Sequence, residues 1–126
     1  FGYALGQQAQ MPASYLPSER WFAQAQASVA RYTNQLHCAP IVSGDAFVSD
    51  PKKRQWIEAH FPKAVAVEME AAAIAQTCYL LNIPFLILRA VSDNAGEGDT
   101  ISYDTFVAQA AALSAQMNID FIKNLV

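Results

Sequence analysis

Four ionisable residues stand at or beside apolar runs of this chain: Glu68, Glu70, Arg89 and Asp93. Charge in such surroundings is expensive unless it is paired or used. Two chemistries follow from these residue types. Carboxylates beside a helix N-terminus can accept hydrogen bonds from vicinal hydroxyls of a small polar ligand. An aspartate at a strand end can act as a general acid if its pKa is raised. A structural ion-pair cluster is the alternative, with Glu68 the first partner expected for Arg89.

The elements that must position these residues lie in one stretch, VAVEMEAAAIAQTCYLLNIPFLILRAVSD, running from Val65 to Asp93. Val65-Ala66-Val67 reads as a short buried strand leading into Glu68, Met69 and Glu70. Four alanines, with Ile74, Cys78 and Leu81 at helical spacing, predict a helix from Glu70 to Leu81. Glu70 suits the positive end of that helix, and Asn82 with Pro84 would end it. Phe85 to Val91 is almost continuously apolar, as a buried parallel strand requires, and Arg89 interrupts it. The result is a strand–helix–strand unit with acids at the carboxyl ends of its strands, where ligands bind in open α/β sheets.

The rest of the chain reads as support. Phe1 to Pro17 is punctuated by glycine and proline into a loop, whose rings Phe1, Tyr3 and Tyr15 are expected to pack on the body of the domain. Ser18 can cap a helix running to Tyr32, with Phe22, Ala25, Val29 and Tyr32 on its apolar face. Cys38 to Val42 reads as a strand, and Ser43-Gly44-Asp45 as a turn. Asp50-Pro51 is a cap and first helical position for a helix packed through Trp56, Ile57 and Phe61. Ser102 would cap a last helix, Tyr103 to about Leu125, with Phe106, Ala110, Leu113, Met117 and Phe121 facing a core.

Composition narrows the function classes. The chain has 126 residues, 53% of them hydrophobic, and a formal net charge of -3. That size suggests one domain, and the acidic balance argues against nucleic acid or an acidic membrane surface as the main partner. No apolar run is long enough to span a membrane. Cys38 and Cys78 carry no disulfide framework spacing and read as free buried thiols of a reducing compartment. His60 has no second ligand at helical spacing, so a metal role is not expected. Ser43 lacks the glycine frame of a nucleophile elbow and reads as a turn residue. The acidic glycine-rich loop Asp93 to Asp99 departs from a calcium loop at Ala95 and at Asp104, and reads as a surface loop.

SGDAFV, VAVEMEAAAIAQTC and PFLILRAVSD followed by ISYDTF resemble the bacterial 5′-methylthioadenosine/S-adenosylhomocysteine nucleosidases, within the nucleoside phosphorylase superfamily. FGYALGQ, MPA and the final helix extend the resemblance over nearly the whole chain. It implies an α/β fold, part of a three-layer α/β/α architecture around a central mixed sheet. It implies hydrolysis of an N-glycosidic bond to release adenine, in the cytoplasm, by a homodimer without metal or organic cofactor. By the same resemblance Asp93 would protonate the leaving purine, steadied by Ser92. Phe47 would stack on adenine and the Val48 backbone would meet its edge. Glu70 would hold the ribose hydroxyls, with Met69 against the sugar, and Glu68 and Arg89 would help order the attacking water. Tyr103, with Met11 and Pro12, would line the alkylthio pocket from a neighbouring subunit. The family's N-terminal half, which carries a glutamate base for the water, has no counterpart here. Residues 1–126 therefore read as the C-terminal part of one such domain, expected to be inactive alone. A purine nucleoside phosphorylase, a hydrolase of aminodeoxyfutalosine and a non-catalytic adenine-nucleoside-binding fragment remain open.

Overall fold

A computed structural model describes residues 1–92 and 103–125. Residues 1–18 form turns without regular structure, and helix α1 follows at Glu19–Val29. Ser18 caps it, its hydroxyl accepting from the Trp21 N–H at 3.3 Å. Strand β1, Ile41–Ser43, leads through Gly44 to helix α2, Pro51–His60. Asp50 caps α2 by accepting from the Lys52 N–H at 3.0 Å. Strand β2, Ala66–Glu68, enters helix α3, Ala71–Leu80, and helix α4 spans Tyr103–Leu125.

β1 and β2 pair in parallel, Ile41 with Ala66, Val42 with Val67 and Ser43 with Glu68. Parallel neighbours need a crossover, and α2 supplies it. The fold is thus α/β with a small parallel sheet among the described residues. The ladder is extended at both ends, by the Val65 N–H to the Pro40 carbonyl at 3.0 Å and the Gly44 N–H to the Glu68 carbonyl at 3.1 Å.

Packing departs from the predicted stripes in informative ways. On α3 the buried residues are Ala71 and Ala75, whereas Ile74 and Leu81 are exposed. The small face of α3 thus goes inward, where the helix meets β1. α1 buries Ala25, Ser28 and Val29, and α4 answers with Phe121. Arg31 and the Tyr32 hydroxyl both donate to Asp120 Oδ2, at 2.7 and 3.1 Å, and staple the two helices. Leu113 is exposed, as is Trp56, which stacks on His60 at 4.1 Å instead of packing inward. Tyr15 meets Tyr79 edge-on at 5.7 Å, while Phe1 and Tyr3 are exposed. Cys38 is also exposed, not buried as its type suggested.

The predicted strand from Phe85 to Val91 takes part in no ladder among the described residues. The Ser18 N–H donates to the Phe85 carbonyl at 2.9 Å, and Arg89 holds the other end through its side chain. A strand requires a neighbour to exchange backbone hydrogen bonds with, and no described strand exchanges them with this segment. The accessible surface of 9360 Å² is large. A folded monomer of this mass exposes about 6,600 Å² by the usual scaling. Leu80, Leu81, Val91 and Ile122 contribute to that excess as exposed apolar side chains.

Candidate active site

The β2–α3 corner is built on the Glu68 carboxylate. It receives the backbone N–H of Glu70 on Oε2 at 3.1 Å, and that of Ala71 on Oε1 at 3.0 Å and on Oε2 at 2.9 Å. The first N–H groups of a helix have no partner within it, and an anion there also suits the dipole. Glu68 therefore caps α3 from outside it. Glu70, at the N-cap position, makes no side-chain cap. The Ser43 hydroxyl donates to Glu68 Oε1 and accepts the Ala72 N–H at 2.9 Å.

Arg89 closes the corner. Its guanidinium lies 2.9 Å from Glu70 Oε2 and 3.4 Å from Glu68 Oε2, so Glu70, not Glu68, is the nearer partner. The expectation that Glu68 is the first partner of Arg89 is thus reversed by the folded geometry. The Glu68 side chain is 8% exposed and that of Glu70 58%. Burial works against the Glu68 charge. The Ser43 hydroxyl, the N–H groups of Glu70 and Ala71, and Arg89 together outweigh it and hold the carboxyl below its ordinary value of 4.5.

A cleft of about 520 Å³ opens beside this corner. Phe47, Val48, Glu68, Met69, Glu70, Arg89 and Ser92 all line it. Phe47 is 73% exposed and its ring is available on the wall, while Val48 is buried. Arg54, Ile57, Glu58 and Phe61 form the α2 side. The arrangement offers an aromatic face, apolar walls and an exposed carboxylate set by a guanidinium, which together suit a flat heteroaromatic group joined to a hydroxylated ring. Asp93 and the loop to Asp99 lie outside the described residues. Tyr103 opens α4. Met11 and Pro12 are not among the residues lining the cleft. No group of three or more potential metal ligands occurs among the described residues.

Residues 1–123 match the family model of the phosphorylase superfamily. The chain belongs to that superfamily. Over 99% of its length it is 45% identical to the 5′-methylthioadenosine/S-adenosylhomocysteine nucleosidase of Lysinibacillus sphaericus, covering 55% of that protein. It superposes with a TM-score of 0.88 on the nucleosidase of S. pneumoniae bound to a transition-state inhibitor, at 42% identity, over 99% of this chain and 54% of that one. The Neisseria meningitidis nucleosidase in complex with methylthio-immucillin-A gives a TM-score of 0.85 at 44% identity, over 98% and 54% of the two chains. The chain thus spans about half the length of the curated relatives it matches.

Sequence reasoning gave Ser43 and the α2 wall of the cleft no part in the site. Ser43 follows an apolar run and reads as a turn. Its position opposite Glu68 is a matter of strand register, which a single sequence does not display. On the α2 wall Arg54 and Glu58 pair at 2.8 Å, the ordinary i, i+4 kind.

Among the described residues, no helix is long and apolar enough to cross a membrane.

Proposed function

We propose that this chain supplies the base- and ribose-binding side of a cytoplasmic nucleosidase that hydrolyses the N-glycosidic bond of 5′-methylthioadenosine and S-adenosylhomocysteine. The supporting observation is the cleft that gathers Phe47, Val48, Met69, Glu70, Arg89 and Ser92 in a chain so similar to such nucleosidases. In this reading Phe47 stacks on adenine, the Val48 backbone meets its edge, and Glu70 accepts hydrogen bonds from the ribose hydroxyls, with Met69 against the sugar. Asp93, steadied by Ser92, protonates the purine as the glycosidic bond breaks and its electron pair leaves with the base. Water ordered by Glu68 and Arg89 adds to the cationic sugar carbon and gives up its proton to a base outside this chain. Protonating the leaving group and placing negative charge near the sugar both favour an oxocarbenium-like transition state.

The complete fold in this reading is a three-layer α/β/α domain around a central mixed sheet. Residues 1–126 form its C-terminal part. The enzyme is a homodimer in which Tyr103, Met11 and Pro12 line the alkylthio pocket, and it needs neither metal nor organic cofactor. The superfamily also contains phosphorylases, which makes phosphorolysis the second reading. Adenine release by the complete enzyme, followed with and without phosphate, separates them. Release independent of phosphate is expected, and an absolute phosphate requirement would reject hydrolysis. Calorimetry on residues 1–126 is expected to show adenine binding, and the same chain given 5′-methylthioadenosine is expected to release no adenine. Turnover by this chain alone would place the water-activating base within it.

A further inference from the structure

We infer that Ser43 is a positioning residue of this site: its hydroxyl, held between the first turn of α3 and Glu68, fixes the carboxylate beside which Arg89 and Glu70 are set. The kinetic consequences rest on the nucleosidase reading; the structural ones do not. Ser43 and Glu68 are paired across the two parallel strands. Residues so paired project from the same face of a sheet. The Ser43 proton goes to Glu68 Oε1, and its oxygen takes the Ala72 N–H at 2.9 Å. Its proton is directed at a carboxylate already engaged by two backbone N–H groups, which gives the hydroxyl a structural duty and not a nucleophile's.

The arrangement is a relay of position. With 8% of its side chain exposed, Glu68 has little water to replace a lost donor. Arg89 bridges Glu68 and Glu70, so a carboxylate that swings away from Ser43 takes the guanidinium with it and slackens Glu70. The charged groups about Glu68 are Arg89 and Glu70 directly, with Arg54 and Glu58 of α2 on the same cleft. α3 presents backbone N–H groups to it.

The test compares the complete wild-type enzyme with S43A and S43T. Threonine keeps the hydroxyl and suits a strand. The Glu68 carboxyl is titrated by carbon-13 NMR, assigned through its loss in E68Q. Losing one hydrogen bond to a charged group is expected to raise its proton affinity about tenfold in S43A, with S43T unmoved. Adenine release is expected to fall about tenfold in kcat with KM within about twofold, the acid limb of the profile moving to higher pH, and S43T restoring both. Wild-type titration of Glu68 in S43A overturns the assignment. So does a loss of turnover that S43T does not restore. If the wild-type enzyme releases no adenine, the nucleosidase reading fails, and the carboxyl titration alone decides the role of Ser43.

Discussion

Replacing Glu68 by glutamine tests the construction of the corner. The carboxylate offers two acceptor oxygens to the N–H groups of Glu70 and Ala71, the Ser43 hydroxyl and Arg89. An amide keeps one acceptor and turns an NH2 group toward donors. Loss of a helix cap costs about 1 kcal/mol, and loss of the favourable charge at the N-terminus about 0.5 kcal/mol more. The Arg89 contact adds little, since Arg89 is 43% exposed and retains Glu70. The expected cost is therefore about 1.5 kcal/mol at neutral pH. Urea unfolding of the complete enzyme measures it, with E70Q as the control. Glu70 makes no side-chain cap, so E70Q should cost less than about 0.5 kcal/mol. The pH dependence follows from the depressed Glu68 pKa. Its charge stabilises the fold fully above the ordinary value of 4.5 and loses that effect as pH falls through the lower folded value. The gap between wild type and E68Q should hold constant from neutral pH to about 5 and narrow only below 4.5. Equal costs for E68Q and E70Q, or a gap that persists in acid, would refute the capping argument.

Three further outcomes are expected of the complete enzyme. Asp93→Asn should lower kcat by about a hundredfold or more, as loss of a general acid does, while the circular dichroism spectrum is unchanged; near-normal kcat would remove Asp93 from that role. Phe47→Ala should leave stability within about 0.5 kcal/mol, because the ring is 73% exposed, yet weaken adenine binding about tenfold in calorimetry through lost stacking. Phe121→Ala should destabilise by about 3 kcal/mol in urea unfolding, since Phe121 is buried where α4 meets α1; a cost under about 1 kcal/mol would mean that this contact is not a core contact.

Local rules made much of this chain legible in its sequence. Ser18 and Asp50 stand where short polar side chains cap helices, and both make the expected bonds to the backbone. Asn82 follows α3 with φ at 53°, the left-handed conformation that asparagine tolerates and that ends a helix. The spacing of Phe106, Ala110, Met117 and Phe121 marks the inward side of α4, because helical periodicity is a property of neighbours in sequence. The motif residues from Phe47 to Ser92 were legible as a set through their resemblance to a family, and one cleft collects them.

Tertiary structure decided what depends on partners distant in sequence. Ala71 and Ala75, not Ile74, face inward on α3, the helix that packs on β1, and which face of a helix meets a strand is set by the fold. Phe85 to Val91 has the composition of a buried strand, but composition supplies no neighbour, and a ladder needs one. The register of β1 on β2 sets Ser43 against Glu68, and the fold brings Arg89 within reach of both acids while placing it nearer Glu70. Helix signals survive in a single sequence because their interactions span three or four residues. The site does not, because Arg89 meets Glu70 and Ser43 meets Glu68 across separations of 19 and 25 residues that only folding closes.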